Sequence, residues 1–226
     1  MQLTFQDVKK NEEVRTYIRK ADESLIALGY TEHSFAHVTR TAEVAAWILR
    51  ETGHSDKDAE LAAIAGYLHD IGNVINRDGH EQSGAIMVFT LLNKMGADAE
   101  DIGTIVSAIG NHDEGTAFPV NDVAAALILA DKTDVRYTRV RNKDTISFDI
   151  HDRVNYAVKK SEVTLDKDKR EIMLHLTVDK QVSSISDYFE IFLGRMLLCR
   201  KAAERLNMTF GLSINGLSMM ESNLYR

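Results

Sequence analysis

The sequence holds one cysteine, Cys199, in 226 residues, so no internal disulfide can form. It shows no signal-peptide-like apolar core and no apolar run long enough for a bilayer, which predicts a cytoplasmic protein with no membrane partner. Low-complexity tracts and internal repeats are absent. Positive charge is in short supply. A formal net charge of -7 argues against an extended nucleic-acid surface, while a local basic pocket and a small charged substrate stay open. What is present, 44% hydrophobic and 27% charged residues, suffices for a globular core.

Helical patterns dominate the first part of the chain. Asn11 is placed to cap NEEVRTYIRKADESLIALGY, in which Val14, Ile18, Leu25 and Leu28 recur at mostly helical spacing before Gly29. A second helix begins within TEHSFAH and runs to Gly53. Ser55 and Asp58 form a capping-box start for DKDAELAAIAGYLHD, which is apolar around most of its circumference and is therefore expected inside the protein. HEQSGAIMVFTLLNKM, DAEDIGTIVSAIG and NDVAAALILADKTDVRY complete a helical region up to about residue 140.

From residue 141 onward the pattern changes. RVNYAVKK and EIMLHLTVD alternate with period two around the turn DKDK, which predicts a hairpin, and TFGLSINGL offers a third strand. Between them Ile185, Phe189, Phe192, Met196, Cys199, Ala203 and Leu206 form a stripe on one long helix. Such a stripe serves core packing or a contact between two copies in a homodimer. The expected organisation is therefore a helical unit over 1–140 and a C-terminal α+β extension over 141–226 that packs on the same domain.

His37, His69, Asp70, His80, His112 and Asp131 all sit in or beside apolar helical segments. An ionised carboxylate such as Asp131, one turn after Leu127, needs a cation there. One such histidine alone reads as a hydrogen-bonded core residue. Six together, without thiolates, suit Fe, Mn, Zn, Co or Ni, and not an all-oxygen calcium cage.

His37, the adjacent pair His69-Asp70 and then Asp131 resemble the H…HD…D signature of the HD-domain metal-dependent phosphohydrolase superfamily. LHDIGN, HVTRTAEVAAWILRETG and ILADKTD resemble its corresponding segments, over roughly residues 33 to 140. The resemblance implies a mainly α fold: an HD-domain helical bundle whose ligands converge on metal, with the small C-terminal strands and long helix added. It places His80 and His112 where dinuclear members carry extra ligands. Two divalent transition-metal ions are thus implied, His37, His69 and Asp131 at one, His80 and His112 at the other, and Asp70 bridging both. Asn73 stands where some cyclic-dinucleotide phosphodiesterases carry Lys, and the GYP motif of one such branch is missing, which argues against a cyclic-di-GMP enzyme. Asn111 stands where relatives often pair a second histidine with His112, and His33, one turn before His37, is expected to support the ligands or to have no role.

The implied reaction is hydrolysis of a phosphomonoester or phosphodiester of a small, nucleotide-like substrate. A metal pair makes water nucleophilic at neutral pH and offsets phosphate charge, and Asp70, assigned as the catalytic residue, has two oxygens with which to bridge. No amino-acid nucleophile is needed: no GxSxG elbow surrounds any serine, and Cys199 lies on the packing stripe. Lys132, Asn73 and Arg77 are the candidate substrate contacts. DVRYTRVRNK supplies four basic residues for a pocket mouth or a solvated segment. The competing expectation is a regulatory module that binds metal or nucleotide without turnover, with the C-terminal part signalling to a partner.

Overall fold

The computed structural model describes residues 3–141 and 149–221. Capping explains where the helices begin. Thr4 with Asp7 opens α1 (Phe5–Lys10), and the Asn11 side chain accepts from the Glu13 and Val14 amides at the start of α2 (Glu12–Ala27). Ser34 starts α3 (Phe35–Glu51), and Ser55 with Asp58 forms the expected capping box of α4 (Asp56–Leu68). A short 3-10 turn, Ile71–Val74, leads to α5 (His80–Lys94), α6 (Ala99–Gly110) and α7 (Asp122–Lys132).

Helices α3 and α4 pack so closely that a Cβ added at Gly66 would stand 2.8 Å from the Ala42 backbone. Helix α4 is buried from Leu61 through Leu68, as expected of a segment without a polar face.

The C-terminal part differs from the sequence expectation in two places. The segment read as the first strand, RVNYAVKK, is mostly helix: α8 spans Ile150–Ala157, and β1 starts at Val158 and ends at Asp166. Asp149 accepts from the His151 and Asp152 amides, and Ile150, Val154 and Ala157 fall on one turn-to-turn row. Within the segment Val154, Tyr156 and Val158 fall two apart, which mimics a strand's alternation.

The second difference is a fourth strand. β2 (Glu171–Val178) pairs antiparallel with β1 and parallel with β3 (Thr209–Ile214), which pairs antiparallel with β4 (Leu217–Met220). Asn215 and Gly216, at φ 52° and 79°, make the two-residue turn between β3 and β4, the backbone that Asn-Gly favours in hairpins.

The parallel β2–β3 pair requires a crossover, supplied by α9 (Ile185–Arg205). Its stripe is packing surface, with Phe192, Met196, Cys199 and Ala203 buried. One apolar cluster runs from Val8 on α1 to Ile214 on β3. Polar contacts tie the parts as well: the Ser161 hydroxyl donates to the Thr133 carbonyl at 2.9 Å, and Arg205 pairs with Asp122 at 2.8 Å. Among the described residues no helix is long and apolar enough to cross a membrane.

Candidate metal centre

All six expected ligands sit at helix ends. His37 lies in the first turn of α3, His69 and Asp70 directly follow α4, His80 begins α5, His112 follows α6 by two residues, and Asp131 occupies the last turn of α7. Bundling these helices brings the ends together. His37 Nε2 is 3.5 Å from Asp70 Oδ2 and 3.3 Å from Asp131 Oδ1, and His69 Nε2 is 3.1 Å from Asp70 Oδ2. On the other side, His80 Nε2 is 3.5 Å from Asp70 Oδ1 and 3.3 Å from His112 Nε2. Asp70 thus turns one oxygen toward His37 and His69 and the other toward His80. His112 links the two halves, since its ligand atom also lies within 4.8 Å of those of His69 and Asp131.

The imidazoles share one orientation. Each Nδ1 is tied back within the protein: His37 to Asp134 Oδ2 at 2.8 Å, His69 to the Gly66 carbonyl at 2.9 Å, His80 to the Arg77 carbonyl at 3.0 Å, and His112 to the Ile109 carbonyl at 2.6 Å. A ring nitrogen that donates at Nδ1 leaves an Nε2 lone pair for a metal. Three of these bonds reach back to the carbonyl three residues earlier, so the local helix end itself aims the ring.

Divalent metal fits this donor set. His37 Nε2, His69 Nε2 and Asp70 Oδ2 are buried and have no hydrogen-bond partner among the described residues. Leaving such atoms unmet costs about 1–3 kcal/mol each, and a cation among them removes that cost. Electrostatics agree. Burial would raise Asp70 and Asp131, but His69 beside Asp70, and Lys132 beside Asp131, hold both carboxyls well below the usual range. Burial alone would lower His69, yet the Asp70 and Asp131 carboxylates push it up to about 10. Burial keeps His80 and His112 low, neutral and able to ligate.

A pH prediction follows from His69. In metal-free protein its proton must leave before metal binds, so metal affinity should rise about tenfold per pH unit below pH 10. The stability this group gives the metal-free protein has the opposite sign. It is complete below the ordinary histidine value of 6.5 and is lost as pH approaches 10. Calorimetry in buffers of different ionisation enthalpy at neutral pH should show about one proton released by His69; zero release would contradict the assignment.

The structure adds Asp134, which the sequence does not single out and which hydrogen-bonds the candidate ligand His37. Its side chain is fully buried, accepts from His37, and pairs with Arg40 at 3.1 Å and Arg136 at 2.6 Å. Burial would raise its carboxyl, but the His37 hydrogen bond and the Arg139 charge hold it far below normal. Asp134→Asn should weaken metal binding by about 10–100-fold with the helical circular dichroism unchanged, measured by chelator competition. Unchanged affinity would mean that Asp134 serves only the fold.

The three candidate substrate contacts separate. Asn73 is buried behind the cavity lining, its amide donating to Asp70 Oδ1 at 2.9 Å and to the Asp70 carbonyl at 2.8 Å. Lys132 and Arg77 line a cavity of about 460 Å³ that opens onto Asp70, His80, His112 and Asp131. Lys132 Nζ is 2.7 Å from Asp131 Oδ2. Arg77 leans on the Tyr30 ring and stands 3.7 Å from Asp113. Of the basic residues in DVRYTRVRNK, Arg139 reaches the cavity and is held by the Glu32 and Asp134 carbonyls, Arg136 binds Asp134, and Arg141 pairs with Asp22. Lys143 lies outside the described residues.

His33 stacks edge-on against His37 and also lines the cavity. Asn111 donates to the Ser107 carbonyl at the end of α6. Sequence reading gave no role to Glu114, His151, Asn155 or Arg195, all of which line the cavity.

Comparison with known proteins agrees with this geometry. An uncharacterized protein of Methanocaldococcus jannaschii is 22% identical over 204 residues, covering 79% of this chain and 77% of the relative. The HD domain profile matches residues 34–157, more than half of the sequence and the stretch that carries all six candidate ligands. With its buried histidine and aspartate clusters at the matched positions, the chain belongs to the HD domain family of metal-dependent hydrolases.

Proposed function

We propose that this protein is a phosphohydrolase that cleaves a phosphomonoester or phosphodiester of a small, nucleotide-like substrate, using two divalent ions. The observation that carries this reading is the division of Asp70. Its Oδ2 faces the His37 and His69 imidazoles and its Oδ1 faces that of His80, with all four histidines presenting Nε2. A carboxylate so placed suits a bridging role, with His37, His69 and Asp131 on one side and His80 and His112 on the other. Ions bound there would supply Lewis acidity for a phosphoryl oxygen and acidify a water.

The chain's own groups do the remaining work. Asn73 fixes the Asp70 carboxylate through Oδ1. Lys132, buried beside Asp131, and Arg77, braced by Asp113 and Tyr30, bring two cations to the cavity where a phosphate would approach. The cavity is wide enough for a nucleotide-sized ligand. The test is hydrolysis by protein reconstituted separately with Mn, Fe, Co, Ni and Zn, across phosphomonoesters, phosphodiesters and nucleotides. Metal-dependent turnover of at least one class supports the reading. Tight nucleotide binding with no turnover by any metal form would replace it with a regulatory module.

A further inference from the structure

Helix α9 reaches into the cavity with Arg195, which the metal centre does not use. Its guanidinium lies over the Phe192 ring at 4.5 Å, and its Nε is 2.5 Å from Glu114 Oε1. The approach is close but misaligned, so among the described residues this buried N–H makes an ion pair and no hydrogen bond. The same Glu114 oxygen is 3.6 Å from Lys132 Nζ, which in turn touches the ligand Asp131. A chain of alternating charge, Asp131–Lys132–Glu114–Arg195, therefore runs from the metal centre to α9. Once Asp131 gives its charge to a metal, the Glu114 carboxylate still stands against both cations. Glu114 belongs to the loop after His112 and is about one-third exposed, whereas Lys132 is buried.

We propose that Lys132 and Arg195 form a second anion subsite beside the metal centre, occupied by the Glu114 carboxylate until substrate replaces it. The proposal rests on the phosphohydrolase reading and narrows it: the preferred substrate carries a second anionic group next to the scissile phosphate, as a nucleoside diphosphate does. An incoming phosphoryl oxygen has the charge and directional freedom to satisfy Arg195 Nε, which Glu114 leaves unmet. Glu114 then acts as a selectivity filter, since a simple monoester gains nothing by displacing it.

Two non-hydrolysable probes separate the subsite from the metal centre: methylphosphonate, with one anionic group, and methylenediphosphonate, with two. Binding of each to manganese-reconstituted protein is measured by calorimetry. Arg195→Met should weaken methylenediphosphonate by about tenfold, the effect of one charge-assisted hydrogen bond, while methylphosphonate is unchanged. Arg195→Lys should recover part of that loss, and Glu114→Gln should tighten methylenediphosphonate alone. Equal weakening of both probes, or no change in either, overturns the subsite and leaves the hydrolase reading standing. If wild type binds neither probe, both readings fall. Metal content and melting temperature, followed in parallel, identify a variant that has lost its fold, for which Arg195→Lys and Glu114→Gln then decide.

Discussion

If the proposed two-ion hydrolase reading holds, Asp70→Ala is expected to keep the helical circular dichroism, lose both metal equivalents, and lower kcat at least about a thousandfold, because metal charge stabilisation of several kcal/mol disappears. The size of the effect follows from the position of one side chain. Asp70 is the residue whose two oxygens reach both histidine groups, at 3.1 Å to His69 and 3.5 Å to His80. Removing it also leaves His69, which that carboxylate charges, without its principal counterion. His112→Ala should be milder: one ion lost, one retained. If His80→Ala and His112→Ala both leave metal stoichiometry and turnover unchanged, one ion suffices and the bridging role of Asp70 is wrong.

The second large effect is expected at a residue with no chemistry. Gly72, in the turn after Asp70, faces the start of α5 so closely that a Cβ would stand 2.0 Å from the His80 carbonyl oxygen and 2.6 Å from the Gly84 amide nitrogen. Neither neighbour is a flexible side chain, so backbone must move. Gly72→Ala should destabilise by about 3 kcal/mol, the upper part of the overpacking range, and lower the melting temperature by roughly 6–12 °C. It should also release metal from the His80 side first, because the displaced backbone is the one that holds His80 against Asp70. A melt within about 2 °C of wild type would show that the turn yields without cost.

What the sequence discloses and what it conceals divide along range of interaction. Capping boxes and periodicity act over a few residues, so Asn11, Ser55 and the apolar run before His69 were readable. The HD pair stood out because charge in such a run requires a partner. Asp134 did not, since it binds His37 across 97 residues and its partner cannot be seen from its own neighbourhood. Arg195 was read as part of a helix whose stripe packs, and only the placement of α9 beside the loop after His112 gives it a cavity. Asn73, next to the HD pair, suggests a substrate contact, yet its amide lies within hydrogen-bond reach of Asp70 three residues back. RVNYAVKK misleads because Val154, Tyr156 and Val158 alternate while Val154 and Ala157 also keep helical spacing, and only the cap at Asp149 distinguishes the two. The fourth strand is marked in the sequence by Asn215-Gly216, a hairpin turn signal.

The measurement that bears most directly on the account is elemental analysis of protein purified without a metal-affinity tag, run beside Asp70→Ala. The account predicts about two equivalents of transition metal in the wild type and none in the variant. Wild-type protein that holds no metal, and recovers none on reconstitution, would contradict it.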